Sequence, residues 1–199
     1  MNSATQPGRA AIGTLIALVV SAAAATACAR NRAYPPPPAE PFRAVVTAVF
    51  DGDTLVATGA QGGAVTVRVA GIDAPESWQA SGNASRTHLA AFVCGRTATI
   101  SASKVDPFGR LVAIVEVDGI DAGLRQLRAG QAWHFARYAH EQPPAQRLAY
   151  QQAQAAAQTQ RIGLWADPAP EAPWAYRERQ RRARAADPSQ EAARSRAAC

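Results

Sequence analysis

From Arg68 to Glu76 the chain reads Arg-Val-Ala-Gly-Ile-Asp-Ala-Pro-Glu, which puts one guanidinium, two carboxylates and a proline-stiffened turn within nine residues. Upstream, Asp51-Gly52-Asp53-Thr54 adds two more carboxylates at a turn. Downstream, Asp106-Pro107-Phe108-Gly109-Arg110 offers a second arginine on another turn. Carboxylates hold hard cations, and arginines grip phosphate oxygens and stabilise the charge that builds on them. Two acidic clusters and two arginines are therefore the set that metal-assisted phosphodiester cleavage requires. Asp53 and Asp73, with a backbone carbonyl and waters, can supply the oxygen donors Ca²⁺ prefers. Pro75 restricts Ala74 to an extended backbone, which helps fix the direction of the Ala74 carbonyl. Glu76, three residues beyond Asp73, could flank the same cation and poise a water for in-line attack. Asp51 reads as a turn former that accepts from local amides.

These side chains need a scaffold of short strands. Ala44 to Phe50 is β-branched and apolar, and Leu55 to Thr58 leads into the glycine-rich turn Gly59–Gly63, a hairpin signal. Val65, Val67 and Val69 then alternate with Thr66 and Arg68, so Arg68 points away from the face the valines fill. Thr97 to Ser101 and Leu111 to Val117 read as two further strands. Asn83 or Ser85 can cap a helix carrying Leu89, Phe92 and Val93, and Asp121 caps a short one carrying Leu124 and Leu127. A polar-alanine helix runs from about Pro144 to Arg161. Five strands plus about three helices fit an α+β fold built on a five-stranded Greek-key β-barrel of the oligonucleotide/oligosaccharide-binding (OB) type, which periodicity alone does not separate from other α+β folds. Trp133, His134, Phe135 and Tyr138 read as core and rim packing, with His134 a loose candidate for substrate contact at the barrel mouth.

The 199 residues carry a formal charge of +6, and Lys104 is the only lysine among 21 basic residues. That balance permits an anionic partner without requiring one, because arginine is the better bidentate phosphate ligand. Arg9 precedes a small, apolar run from Ala10 to Cys28 ending Ala25-Thr26-Ala27-Cys28, which reads as an export signal over 1–27. Cys28 directly after the cleavage site suggests a lipoprotein tethered through an acylated Cys28. Plain secretion and an uncleaved anchor remain open, since Ala25 stands where lipoprotein signals prefer leucine. Residues 28–41, with Tyr34 ahead of four prolines, form a stiff spacer, and the folded domain is expected over 42–167. Residues 168–199 read as a basic Arg/Ala-rich tail, flexible or a short solvated helix. Cys94, in an apolar stretch, is expected as a buried free thiol, although an oxidising compartment would allow it to pair with Cys199. His88, His134 and His140 show no zinc-ligand spacing.

In this order and at these spacings the motifs resemble the staphylococcal nuclease (thermonuclease) family over about Arg43 to Asp167. The resemblance rests on Asp51-Gly52-Asp53-Thr54, Arg68 through Asp73-Ala74-Pro75-Glu76, and Phe108-Gly109-Arg110-Leu111. It is supported by Leu127-Arg128-Ala129-Gly130-Gln131-Ala132-Trp133 and Arg161-Ile162-Gly163-Leu164-Trp165. It implies Ca²⁺ held by Asp53, Asp73 and the Ala74 carbonyl, with Glu76 as general base or water-orienting group. Arg68 and Arg110 would hold the scissile phosphate and stabilise its transition state. It further implies DNA or RNA as substrate and 3′-phosphate products. The export signal places the expected enzyme, read as a monomer, at the cell envelope or beyond it. Phe108 stands where the family often has tyrosine, so one hydroxyl contact to phosphate is missing, and Ala74 stands where threonine is frequent. The competing readings are a catalytically silent OB-fold module that binds nucleic acid or protein, and an envelope lipoprotein with a structural barrel.

Overall fold

The computed structural model describes Met1 and residues 34–186. The proposed signal over 1–27, Cys28, the first part of the spacer, Cys199 and the end of the basic tail lie outside the described residues. Residues 34–186 belong to one compact unit.

The five strands expected from the alternation are β1 (Phe42–Val49), β2 (Thr54–Gly59), β3 (Ala64–Val69), β5 (Thr97–Val105) and β6 (Leu111–Val117). They hydrogen-bond in the order β3-β2-β1-β5-β6, and a parallel pairing of β3 with β6 closes the barrel. Closure removes the open edges that a five-stranded sheet would otherwise present. Register breaks at Val46/Ala48 in β1 and Ala102/Lys104 in β5 mark the bulges at which these strands bend. Val46, Leu55, Val67, Val69, Ile100, Val115 and Val117 fill the interior and are essentially inaccessible to solvent. Burial of these branched side chains is the main favourable term holding the barrel.

Helix α1 (Gly82–Val93) packs Leu89 and Val93 into the same core, and α2 (Ala122–Arg128) adds Leu127. Asp121 caps α2 as its sequence suggests, accepting from the Leu124 amide at 3.1 Å. α1 differs. Its N-cap is Ser81 in the left-handed conformation with no side-chain cap, and neither Asn83 nor Ser85 fills that role. Ser85 is buried instead, and its hydroxyl donates to the Gln131 carbonyl at 2.6 Å. A long-range acceptor has displaced the local capping role that sequence spacing implied.

Helix α3 (Pro144–Thr159) inserts Tyr150, whose hydroxyl donates to the Asp121 carboxylate at 2.7 Å. The two-residue strands β4 (Ile72–Asp73) and β8 (Trp133–His134) pair outside the barrel, and β7 (Ile120–Asp121) extends β6. A final helix, α4 (Pro173–Ala186), occupies the first part of the stretch read from sequence as a basic tail, flexible or a short solvated helix. The proline at its first position and the tryptophan behind it favour the helix of those two readings, because they give it a start and an anchor. Cys94 corrects another expectation. It sits exposed at the C-cap of α1, without a disulfide partner among the described residues, because Leu89, Phe92 and Val93 already occupy the inward face.

Candidate active site

One open cleft of about 1160 Å³ on the outer face of the barrel is lined by Asp53, Arg68, Asp73, Ala74, Glu76 and Arg110 together. All six residues singled out by spacing therefore meet at one place, although they come from four separate segments. Arg68 reaches it because β3 buries Val67 and Val69 inward, leaving the residue between them on the opposite face. Asp73 follows from β4, and Asp53 stands at the start of β2, whose Thr54 pairs with Arg68 across the ladder.

The two aspartates flank the Arg68 guanidinium. Its Nη1 lies 2.5 Å from Asp53 Oδ2, and its Nη2 donates to Asp73 Oδ1 at 2.9 Å. The Nη1 contact is an ion pair without hydrogen-bond geometry. Asp53 also accepts from the Ala74 amide at 2.6 Å, which binds the Asp-Gly-Asp turn to the Asp-Ala-Pro-Glu turn. Glycine at position 52 is required by this closeness, because a Cβ there would sit 1.7 Å from Ser85 Oγ and 2.7 Å from Ala74 Cβ. Gly82 does the same for Glu76, whose carbonyl would lie 2.0 Å from a Cβ at residue 82. The Glu76 turn is further pinned by Gln79, whose Oε1 accepts from the Glu76 amide at 3.1 Å and whose own amide donates to the Glu76 carbonyl at 2.8 Å.

Arg110 approaches from the opposite wall. The Asp106 carboxylate accepts from the amides of Phe108 and Arg110 at 2.9 and 3.0 Å, and from Arg110 Nε at 2.7 Å. Asp106 is thus the brace that aims this arginine, a role beyond the ordinary turn its sequence suggests. Among the described residues the terminal nitrogens of Arg110 make no hydrogen bond, so they remain available to a ligand in the cleft. Phe108 lies exposed beside it, its ring under the Arg110 guanidinium.

The electrostatics separate the two walls. Burial pushes the Asp73 carboxyl up, although Arg177 and Arg68 oppose it. Burial and the neighbouring charge of Asp53 push Asp51 up to about 6. Asp51 also accepts from the Asp53 amide at 3.0 Å, the turn-forming contact expected of it. Burial acts against the charged form of Arg68, but Asp53, Asp73 and Asp51 outweigh it and hold the guanidinium protonated. On the other wall, burial of Asp106 is overcome by the hydrogen bonds and charge of Arg110, which hold its carboxyl below the ordinary range.

Among the described residues no three His, Cys, Asp or Glu side chains form a metal-holding group. The expected donor set is smaller, two carboxylates and one carbonyl with water. The residues fit a hard cation. Asp53 draws the Arg68 guanidinium, and Asp73 draws guanidinium groups to both of its oxygens, as hard anionic oxygen donors do. His134, the loose candidate for substrate contact, is buried, bonded through Nε2 to Gln142 Oε1 at 2.8 Å, and does not line the cleft. Sequence reasoning missed Arg177, which donates to Asp73 Oδ2 and Glu76 Oε1 at 2.7 Å each. It lies in a run of arginines, and the proline and tryptophan shortly before it were the available signal.

A family model described as staphylococcal nuclease homologue matches residues 66–167. The chain is 35% identical over 146 residues to a micrococcal nuclease of Shigella flexneri, an alignment covering 68% of this chain and 80% of that one. The chain belongs to the staphylococcal nuclease family. An endonuclease of Haemophilus influenzae is 33% identical, covering 68% of this chain and 73% of its own. One of Escherichia coli O157:H7 is 35% identical, covering 67% and 84%. The protein is accordingly a nuclease, a hydrolase of phosphodiester bonds. The family-model match contains Arg68, Asp73, Ala74, Glu76 and Arg110. Asp53 lies before it and is joined to them by the fold, through Arg68 and the Ala74 amide.

Proposed function

We propose that this nuclease is an exported, Ca²⁺-dependent endonuclease of low sequence specificity that cuts DNA, RNA or both and leaves 3′-phosphate ends. The observation that carries the reading is the convergence of Asp53, Arg68, Asp73, Ala74, Glu76 and Arg110 on one cleft, with the Arg110 terminal nitrogens facing it unpaired. Asp53, Asp73 and the Ala74 carbonyl would hold the ion. When bound, Ca²⁺ would supply Lewis-acid neutralisation of the charge building on the phosphoryl oxygens. Arg110 and Arg68 bind and orient the scissile phosphate, and their fixed charge is worth most as the pentacoordinate state forms. Glu76 orients a water and takes its proton as the water oxygen bonds to phosphorus and the bond to the 5′ oxygen breaks, and that oxygen leaves as a 5′-hydroxyl after taking a proton from solvent. The cleft is lined by the cations Arg68, Lys104, Arg110 and Arg137, which suits recognition of the phosphate backbone and hence low specificity.

Cleavage of single-stranded DNA or RNA with Ca²⁺ and its loss on chelation tests the metal. Glu76→Gln and Arg110→Ala should each lower the rate by about 10²-fold or more while the protein stays folded. Unchanged cleavage by both variants would remove the site assignment. Sensitivity of the product termini to a 3′-phosphatase tests the bond that breaks. The run ending at Cys28 supports export, with a lipid tether on that cysteine. Mass spectrometry of the mature N-terminus distinguishes acylated Cys28, simple cleavage and an intact leader.

A further inference from the structure

We propose that α4 is a built-in competitor for the cation site: Arg177 seats its guanidinium on Asp73 and Glu76 and must leave before the ion is fully held. The inference rests on the metal-dependent reading above. Arg177 Nη2 donates to Asp73 Oδ2 at 2.7 Å, and Nη1 donates to Glu76 Oε1 at 2.7 Å and to Asp73 Oδ1 at 3.1 Å. One cation thus occupies both oxygens of an expected metal ligand together with the expected general base. Arg68 already takes Asp73 Oδ1, so no oxygen of that carboxylate is left uncommitted. A Ca²⁺ ion needs oxygen donors at about 2.3–2.6 Å and cannot share them with a guanidinium at hydrogen-bond distance.

The aromatic contacts of α4 reinforce this placement. Trp174 stacks on Phe135 with ring centroids 5.9 Å apart and planes 14° from parallel, and meets Trp133 edge-on at 5.4 Å. Gln79, which pins the Glu76 turn, donates its side-chain amide to the Glu171 carbonyl at 2.5 Å just before the helix. Trp174, Arg177 and Arg181 all line the cleft.

The attachment is also built to release. Within α4 only Pro173 is buried, and Arg181 and Arg182 are spent on Glu178 of the same helix, in solvent. The docking contacts lie at Glu171 and the first turns of the helix, so lifting breaks the Trp174 aromatic contacts and little else that is apolar. Lifting exchanges one cation for another on the carboxylates and frees an arginine for the phosphates of the incoming substrate.

The test is calorimetric titration of the full chain with Ca²⁺, comparing wild type with Arg177→Ala, Trp174→Ala and Arg182→Ala. Arg177→Ala should bind Ca²⁺ about 10-fold more tightly, the shift expected if α4 is lifted about a tenth of the time in the wild type. Trp174→Ala should shift the same way by less. Arg182→Ala removes the same charge from the solvent side and should change affinity little. Equal shifts in the Arg177 and Arg182 variants would reduce the effect to bulk charge and overturn the proposal. Weaker or unchanged binding by Arg177→Ala would also overturn it, by making Arg177 a brace for Asp73. If neither wild type nor Arg177→Ala takes up Ca²⁺, the metal-dependent reading falls as well. If the wild type binds Ca²⁺ and cuts but Arg177→Ala binds no tighter, the competitor alone falls.

Discussion

Two arginines grip Asp73, and they differ in everything but chemistry. Arg68 rises from a barrel strand between two buried valines, with its side chain 14% exposed and ion-paired to Asp53 as well. Arg177 comes from a solvated helix more than a hundred residues later, with its side chain 37% exposed and docked by a few contacts at the helix start. The aspartate between them is 1% exposed. The same ion pair is thus a structural fixture on one side and a removable contact on the other. What decides between them is how much of the surrounding fold must move to break it.

The sharpest way to break this comparison is to truncate each arginine in turn. Arg68→Ala leaves Asp53 without its cation and Asp73 with only the helix arginine. It should cost about 3–5 kcal/mol in urea unfolding with chelator present, together with nearly all nuclease activity. Arg177→Ala should cost less than about 1 kcal/mol in the same measurement, because the pair is partly solvated. Comparable losses in the two variants would erase the distinction.

Next in size is Gly52→Ala. Its Cβ would collide with Ser85 and Ala74, both packed parts of the fixed wall, so a loss of about 2–3 kcal/mol is expected. A Cβ at Gly62, by contrast, meets nothing within 4 Å, so Gly62→Ala should carry only the strain of its positive φ. Thermal unfolding of both variants separates close approach from backbone strain.

Much of the fixed side could be read in the chain, and little of the movable side could. Period-two alternation reveals the barrel strands, and it places Arg68 opposite Val67 and Val69 because a strand has only two faces. The Asp-Gly-Asp and Asp-Ala-Pro-Glu turns are short, so their carboxylates are constrained locally wherever the strands go. The pairing of β4 with β8 was not legible, since two residues carry no period. The burial of Ser85 and the exposure of Cys94 depend on which helix face meets the barrel, a tertiary choice. Arg177 was hidden for a different reason. Its partners Asp73 and Glu76 lie about a hundred residues away, and a basic run on a solvated helix has the same composition whether or not one member docks.

The acid limb of stability gives a smaller contrast, between the walls of the cleft. Asp106 is held below its ordinary value by Arg110 and by the amides it accepts from. A carboxylate depressed in the folded state stabilises the protein above its unfolded value of 3.8. That contribution disappears as pH falls from there through the folded value. Asp106→Asn keeps the amide contacts through its remaining oxygen but loses the charge. Its stability relative to wild type should therefore improve as pH drops from 6 toward 3. A constant difference across that range would mean that Asp106 braces Arg110 by shape alone.

The smallest expected effect is also the most direct reading of the difference between the arginines. Amides in the middle of β1 and β6 lie in a closed ladder over a buried core and should exchange with solvent only on global unfolding. Amides of α4 beyond its first turn have mostly exposed side chains around them and should exchange through local opening, orders of magnitude faster. Trp174→Ala should raise the α4 rates further while leaving β1 and β6 unchanged, because its aromatic partners, Phe135 and Trp133, lie outside the barrel strands. If α4 instead exchanges as slowly as the barrel, its opening is global unfolding. Arg177 would then be as fixed as Arg68, and a helix that cannot lift cannot give way to an ion.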